Sequence, residues 1–163
     1  MSQRLQSIFF FLSALLFAVL FFLPLANYFG ETNILRFNVF GVESMLPDGT
    51  VPFKTVFSLP VLILSITAIL LTGYLAIGLL RAVKLAQFVK LYKVARISIV
   101  VIVAWIAVVF AYYVRAIGKS IGVDEPNYKV GVFLPLAALL LVIAAASGLR
   151  KDIKKVRSTD RIR

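Results

Sequence analysis

Apolar and polar positions along this chain fall into long blocks, unlike the short-period mixing of a soluble domain. Residues 8–29 form an uncharged, largely apolar run. A second run, 58–80, stops at Arg81. A third, 97–114, lies between Arg96 and Arg115, and a fourth, 130–149, between Lys129 and Arg150. A hydrocarbon core ~30 Å thick is crossed by about 20 helical residues. In lipid the backbone must satisfy its own polar groups, so each block is expected to be a helix. None of the blocks carries the two-residue alternation of an outer-membrane barrel strand. The pattern predicts an all-α membrane protein, a four transmembrane helix bundle forming a single integral membrane domain over residues 1–163.

The connections add detail. In the loop 30–57, Leu35-Arg36-Phe37-Asn38-Val39 alternates apolar and polar side chains, and Val51, Phe53 and Phe57 share one parity. Pro47-Asp48-Gly49 between them is a turn signal. The reading is a small extracytoplasmic β-hairpin between spans one and two, with Pro52 implying an edge position or an irregular second strand. The alternative is an irregular loop whose aromatics dip into the interface. Asp124-Glu125-Pro126-Asn127 marks a turn in the short loop 115–129. Ser58 followed by Pro60 reads as an N-cap and an early helical proline. Pro135 falls in the opening turn of span four, and Pro24 kinks or ends span one near its outer end. Tyr28, Tyr112, Tyr113 and Tyr128 fall near one interface and Tyr92 near the other. The first block exceeds the 7–15 residues of a signal-peptide core and only Arg4 precedes it, so it reads as a retained span.

Composition sharpens this. Of 163 residues, 61% are hydrophobic and 15% charged, against about 45–50% and 25% in soluble domains. The chain has no His and no Cys. Ordinary zinc, iron–sulfur and His-haem ligation, disulfides and His- or Cys-based catalysis are thereby excluded, and no cofactor is expected. Phosphate-cradling loops and nucleophile elbows are absent, so the chain is not read as an enzyme.

The net charge of +11 is unevenly distributed. Arg4, the loop 81–96 and the tail 150–163 hold 13 of the 18 basic residues, which places that side and both termini in the cytoplasm. The candidate contact residues are Arg81, Lys84, Lys90, Lys93 and Arg96, winding around extensions of spans two and three, and Arg150, Lys151, Lys154, Lys155 and Arg157, on a basic helix continuing span four. Anionic headgroups are the expected ligand, at about 1 kcal/mol per basic residue, with an acidic protein surface as the alternative. No aromatic residue is interleaved in the tail for base stacking, so nucleic acid is disfavoured.

The spans themselves hold no ionisable residue of the kind that serves proton or ion coupling. Their hydroxyls can bond to the preceding helical turn. Ala68, Thr72 and Ala76 share one face of span two at a spacing that lets helices approach closely. Ala14 and Ala18, Ala107 and Ala111, and Ala144 and Gly148 repeat that spacing on the other spans.

Gln3-Arg4-Leu5-Gln6 before span one, Gly131-Val132-Phe133-Leu134-Pro135-Leu136 opening span four, and the closing Val156-Arg157-Ser158-Thr159-Asp160-Arg161-Ile162-Arg163 carry a resemblance. The chain resembles a family of small bacterial four-span inner-membrane proteins classed as a domain of unknown function. It departs from the family at Lys154-Lys155, where the family is more acidic. The resemblance implies a bacterial inner-membrane location and this layout, and no activity.

Three functions are compatible with these features. The first is a non-catalytic accessory or scaffold subunit of a larger inner-membrane complex, bound to other subunits. The second is a small lipid- or hydrophobe-handling transporter. The third is an adaptor recruiting acidic cytoplasmic partners through its basic face.

Overall fold

The computed structural model describes residues 3–31, 33–47, 49–123 and 125–160. Its first helix, α1 (Gln3–Leu20), ends four residues before Pro24. A proline ring collides with the carbonyl four residues earlier, and here that carbonyl belongs to Leu20. Phe21, Phe22 and Leu23 donate their N–H groups three residues back, to Ala18, Val19 and Leu20. The tightened turn then releases the chain into a strand, β1 (Ala26–Phe29). The span expected over 8–29 is therefore corrected: residues 21–29 leave the helix, which instead begins at Gln3.

β1 pairs antiparallel with β2 (Ile34–Asn38), which pairs with β3 (Gly41–Ser44). The second loop contributes β4 (Asn127–Tyr128), which joins β1 from the other side. The sheet is four-stranded, in the order β3-β2-β1-β4. The expected hairpin is thus shorter and differently placed. The turn joining its strands is Val39-Phe40. The expected turn at 47–49 forms after β3, with the Gly49 N–H donating to the Leu46 carbonyl at 3.1 Å. Residues 51–57 form an irregular segment entering a 3-10 turn (Thr55–Ser58). Tertiary contacts hold the Val39-Phe40 turn, which has no turn-forming side chains. Val39 is buried, the Phe40 ring meets Phe21 edge-on at 5.4 Å, and the Ser58 hydroxyl donates to the Phe40 carbonyl at 2.5 Å. Ser58 accordingly stands at the N-cap of the next helix without capping it by its side chain. Asp48, Asp124 and the closing 161–163 lie outside the described residues.

The second helix, α2 (Leu59–Arg81), is followed by only three residues before α3 (Leu85–Val108). A π turn (Val109–Tyr113) carries α3 into α4 (Val114–Ile121), so the segment expected as a span over 97–114 is part of one helical rod from Leu85 to Ile121. Gly122, at φ 66°, ends it in the left-handed conformation that glycine adopts without steric cost. After a 3-10 turn (Val130–Phe133), α5 (Leu134–Asp160) runs through the expected end at 149 and takes the basic tail with it.

α1 packs on α2 and α5, α2 on α3, and α3 on α5, closing a four-membered ring. At its centre Trp105 is fully buried and meets Phe17 edge-on at 6.2 Å. Its indole N–H donates to Ser65 Oγ at 2.8 Å, and Ser65 in turn donates to the Val61 carbonyl at 2.7 Å. The sheet seats on one end of the ring. Phe37 stacks on Tyr113 at 5.6 Å, and the Tyr113 hydroxyl donates to the Phe57 carbonyl at 2.6 Å. The buried Tyr28 hydroxyl donates to the Val114 carbonyl at 3.4 Å, and burial together with neighbouring Tyr128 raises its pKa, so it stays a neutral donor. Gly131 fits against the chain entering β1, where a Cβ would lie 2.5 Å from the Pro24 carbonyl oxygen.

The described residues are therefore mostly helical, with four helices among them long and apolar enough to cross a membrane and a small antiparallel sheet. That is the make-up of a multi-pass membrane protein.

Candidate functional site: a basic end with two clefts

Three contacts fix how α2 runs against α3. Phe57 meets Tyr113, Ser65 meets Trp105, and Gly78 lies beside Leu91. Reading along these antiparallel partners, Arg96 stands level with Tyr74, well short of the end of α2 at Arg81. The uncharged stretch Ile97–Val114 rises ~27 Å at 1.5 Å per residue. Beyond it, at the end away from the sheet, α3 and α5 continue as charged extensions, while α2 stays apolar from Leu75 to Leu80 and adds only Arg81.

A polar seam closes the interior of this end. The Gln3 side-chain amide donates to the carbonyls of Leu79 and Ala82. Ser7 Oγ donates to the Ala76 carbonyl at 2.7 Å, and Gln6 Nε2 donates to Asp152 Oδ2 at 2.6 Å. Gly148 permits that last bond, because a Cβ there would lie 2.9 Å from Gln6 Nε2. The bond from Gln6 on α1 to Asp152 on α5 joins residues 146 positions apart and was not legible in the sequence. The Gln87 side-chain oxygen accepts from the N–H groups of Val83 and Lys84 at 2.8 and 3.1 Å, fixing the start of α3.

The basic residues divide between the two flanks of α3. Arg81 and Lys90 line a cleft of about 240 Å³ between α2 and α3, with Tyr74, Gly78 and Leu91. Arg96, Arg150, Lys151 and Lys154 line a larger one, about 510 Å³, between α3 and α5. Its remaining walls are Tyr92, Ser147 and the apolar Ile99, Ile143 and Ala146. Lys93 shares a shallower groove with Arg96 along α3. Lys84, Lys155 and Arg157 are exposed and line neither of the two clefts. The helical spacing of the cations in 81–96 thus serves two separate surfaces.

Of the small residues, Ala68, Thr72 and Ala76 are buried in the ring, with Thr72 donating to the Ala68 carbonyl at 2.7 Å. Ala107 and Ala111, expected to pack inside the bundle by the same spacing, are exposed, as is Ala18. Spacing puts two residues on one face; it does not say which face turns inward.

Among the described residues no cluster of three or more His, Cys, Asp or Glu could hold a metal. The chemistry this end offers is anion recognition: guanidinium and ammonium donors above an apolar floor. The opposite end presents a groove of about 380 Å³ beside β3, lined by Phe40, Val42, Glu43, Phe53 and Lys54, so that its walls carry one charge of each sign.

Residues 2–162 match a protein family described as Domain of unknown function (DUF4293). No curated protein matches the chain.

Proposed function

The chain belongs to the DUF4293 family, and from that premise we propose that it is a non-catalytic accessory or scaffold subunit of a larger assembly in the bacterial inner membrane. It crosses the membrane four times, with both termini and the basic end in the cytoplasm and the sheet outside. The 13 basic residues on one side support that orientation.

The observation that carries the reading is that the helices bury polar side chains and turn many large apolar ones outward. On α1 the buried stripe holds Gln6, Ser7 and Ser13 beside Phe10, Phe17 and Leu20, while Ile8, Phe11 and Leu15 face outward. A helix in water does the reverse; one in lipid buries its polar side chains and turns apolar ones to the acyl chains. Inside the ring, Ser13, Ser65, Thr72 and Ser98 all donate to backbone carbonyls. Hydroxyls engaged in this way build a fixed body, and a fixed body acts through its outer faces. Partner subunits and lipid are what those faces meet.

Gentle detergent extraction followed by native mass measurement tests the proposal. The expected result is a complex heavier than one 18.0 kDa chain, with neighbours identified by crosslinking in native membranes. A lone monomer under every mild extraction condition would reject it. A second reading, a lipid- or hydrophobe-handling protein, is favoured by the apolar floor of the α3/α5 cleft. It requires purified protein to move labelled lipid between the leaflets of liposomes.

A further inference from the structure

We propose that the cleft between α3 and α5 holds one anionic phospholipid of the surrounding bilayer. Arg96 and Arg150 take its phosphate, Lys151 and Lys154 flank the headgroup, and an acyl chain lies along Ile99 and Ile143. The inference requires the membrane placement of the bundle and is independent of the scaffold reading.

Four observations meet in this cleft. Its charge is of one sign: among the described residues four cations line it and no carboxylate does. The nearest acid in sequence, Asp152, is held by Gln6 on α1. Like charges gathered at one place repel one another, and an anion between them removes that cost. Its depth is right, because Arg96 is the last charged residue before the uncharged stretch Ile97–Val114, so the cations stand at the boundary where phosphates lie. Its floor is apolar on the side facing that stretch, with Ile143 44% exposed between the two helices. A soluble anion has no use for such a floor, and an acyl chain does. Finally, the cleft's volume of about 510 Å³ falls within the ~300–1,000 Å³ of small-ligand sites.

The donors also suit phosphate. A guanidinium presents paired N–H groups to two phosphate oxygens, and the long stems of Arg and Lys cover apolar surface while their heads reach the headgroup region. Basic recesses between spans on the cytoplasmic side are where phosphorylated lipid headgroups bind membrane proteins. The α2/α3 cleft is less suited, with half the volume, two cations and Gln87 already committed to the start of α3.

The test uses the purified full-length chain in detergent, titrated with phosphatidylglycerol or phosphatidylcholine and read by native mass spectrometry of retained lipid. Phosphatidylglycerol is expected to be retained in preference to phosphatidylcholine. The double variant R96Q/R150Q is expected to weaken that retention about 30-fold, from two lost headgroup cations. The variant K84Q/R157Q removes the same charge outside the cleft and should change retention less than about twofold, since distant exposed charges are screened. Ser147→Phe, at an exposed position, keeps every cation while filling the cleft, and should also abolish selective retention. Equal losses in the two double variants would reduce the effect to diffuse charge and overturn the site. Undiminished retention in Ser147→Phe would overturn it too, and decides the matter if R96Q/R150Q does not fold. Displacement of the lipid by inorganic phosphate would identify a soluble-anion site instead. Loss of selective lipid retention would leave the scaffold proposal standing, and a monomeric extract would leave the lipid site standing.

Discussion

Replacing Gly131 with alanine adds one methyl group and tests whether the sheet is seated on the bundle as described. The new Cβ would stand 2.5 Å from the Pro24 carbonyl oxygen, 3.1 Å from its carbon and 3.3 Å from the Leu23 oxygen. All three are backbone atoms, so no rotamer change relieves the overlap. Nor can either strand of chain slide freely. The Lys129 N–H donates to the Leu25 carbonyl at 2.9 Å, and the Leu25 N–H to the Phe37 carbonyl at 2.8 Å. Restoring ordinary contact needs a shift of ~1 Å through this pair of bonds, and overpacking of that kind costs about 1–3 kcal/mol. Gly73 provides the matched control. It lies within α2 with nothing inside 4 Å of its Cβ position, so Gly73→Ala gains helix propensity, about 0.5–1 kcal/mol. Thermal unfolding in one detergent, at roughly 2–4 °C per kcal/mol for a chain of this size, should therefore lower the midpoint for Gly131→Ala and raise it for Gly73→Ala. A Gly131→Ala protein as stable as the parent would refute the close approach of β1 to the start of α5.

Three further outcomes follow from the same geometry. Ser65→Ala leaves the only tryptophan, Trp105, without its oxygen partner; a loss of about 0.6–1.7 kcal/mol is expected, with a blue-shifted indole emission, and an unchanged spectrum would deny the bond. Gly148→Leu drives a side chain into Gln6 and parts α1 from α5, for about 1–3 kcal/mol, whereas Asp152→Asn keeps an acceptor for Gln6 and should cost less; equal unfolding midpoints would show that this contact holds nothing. Because the chain has no cysteine, single cysteines at Glu125 and Lys154 report sidedness cleanly. A membrane-impermeant maleimide is expected to label Glu125→Cys in intact cells and Lys154→Cys only after permeabilisation, and the reverse pattern would invert the proposed orientation.

The helices were legible because lipid imposes a long uniform run, and a long uniform run is hard to mistake. The sheet was half legible. Ala26-Asn27-Tyr28-Phe29 sits at the end of an apolar block and has nothing in its composition to distinguish strand from helix. The signal was Pro24, whose effect reaches back to the carbonyl of Leu20 and decides where α1 stops. The Val39-Phe40 turn had no local signal at all, since Phe21, Ser58 and the bundle hold it from outside. Pro47-Asp48-Gly49 does mark a turn, closed by the Gly49 N–H on the Leu46 carbonyl at 3.1 Å, but that turn follows β3 and does not join the paired strands. The candidate site followed the same division. Each cation was visible in the sequence, but the α3/α5 cleft joins helices whose lining residues lie some 50 positions apart. Which of Arg81, Lys90 and Arg96 share a surface depends on helix neighbours and not on spacing.

The two ends of the bundle are finished in opposite ways, and the contrast locates the recognition chemistry. At the sheet end aromatic rings and backbone bonds close the space: Phe37 on Tyr113, Tyr113 to Phe57, Tyr28 to Val114. At the basic end the interior is closed by Gln3, Gln6, Ser7 and Asp152, while both flanks of α3 stay open. Charge that served topology alone could be spread over any exposed turn, as it is at Lys84 and Arg157. Four cations drawn around one recess, with an apolar floor beneath them, are the arrangement on which the proposed lipid site rests. They raise the local potential at a place where only an amphipathic anion satisfies both the rim and the floor.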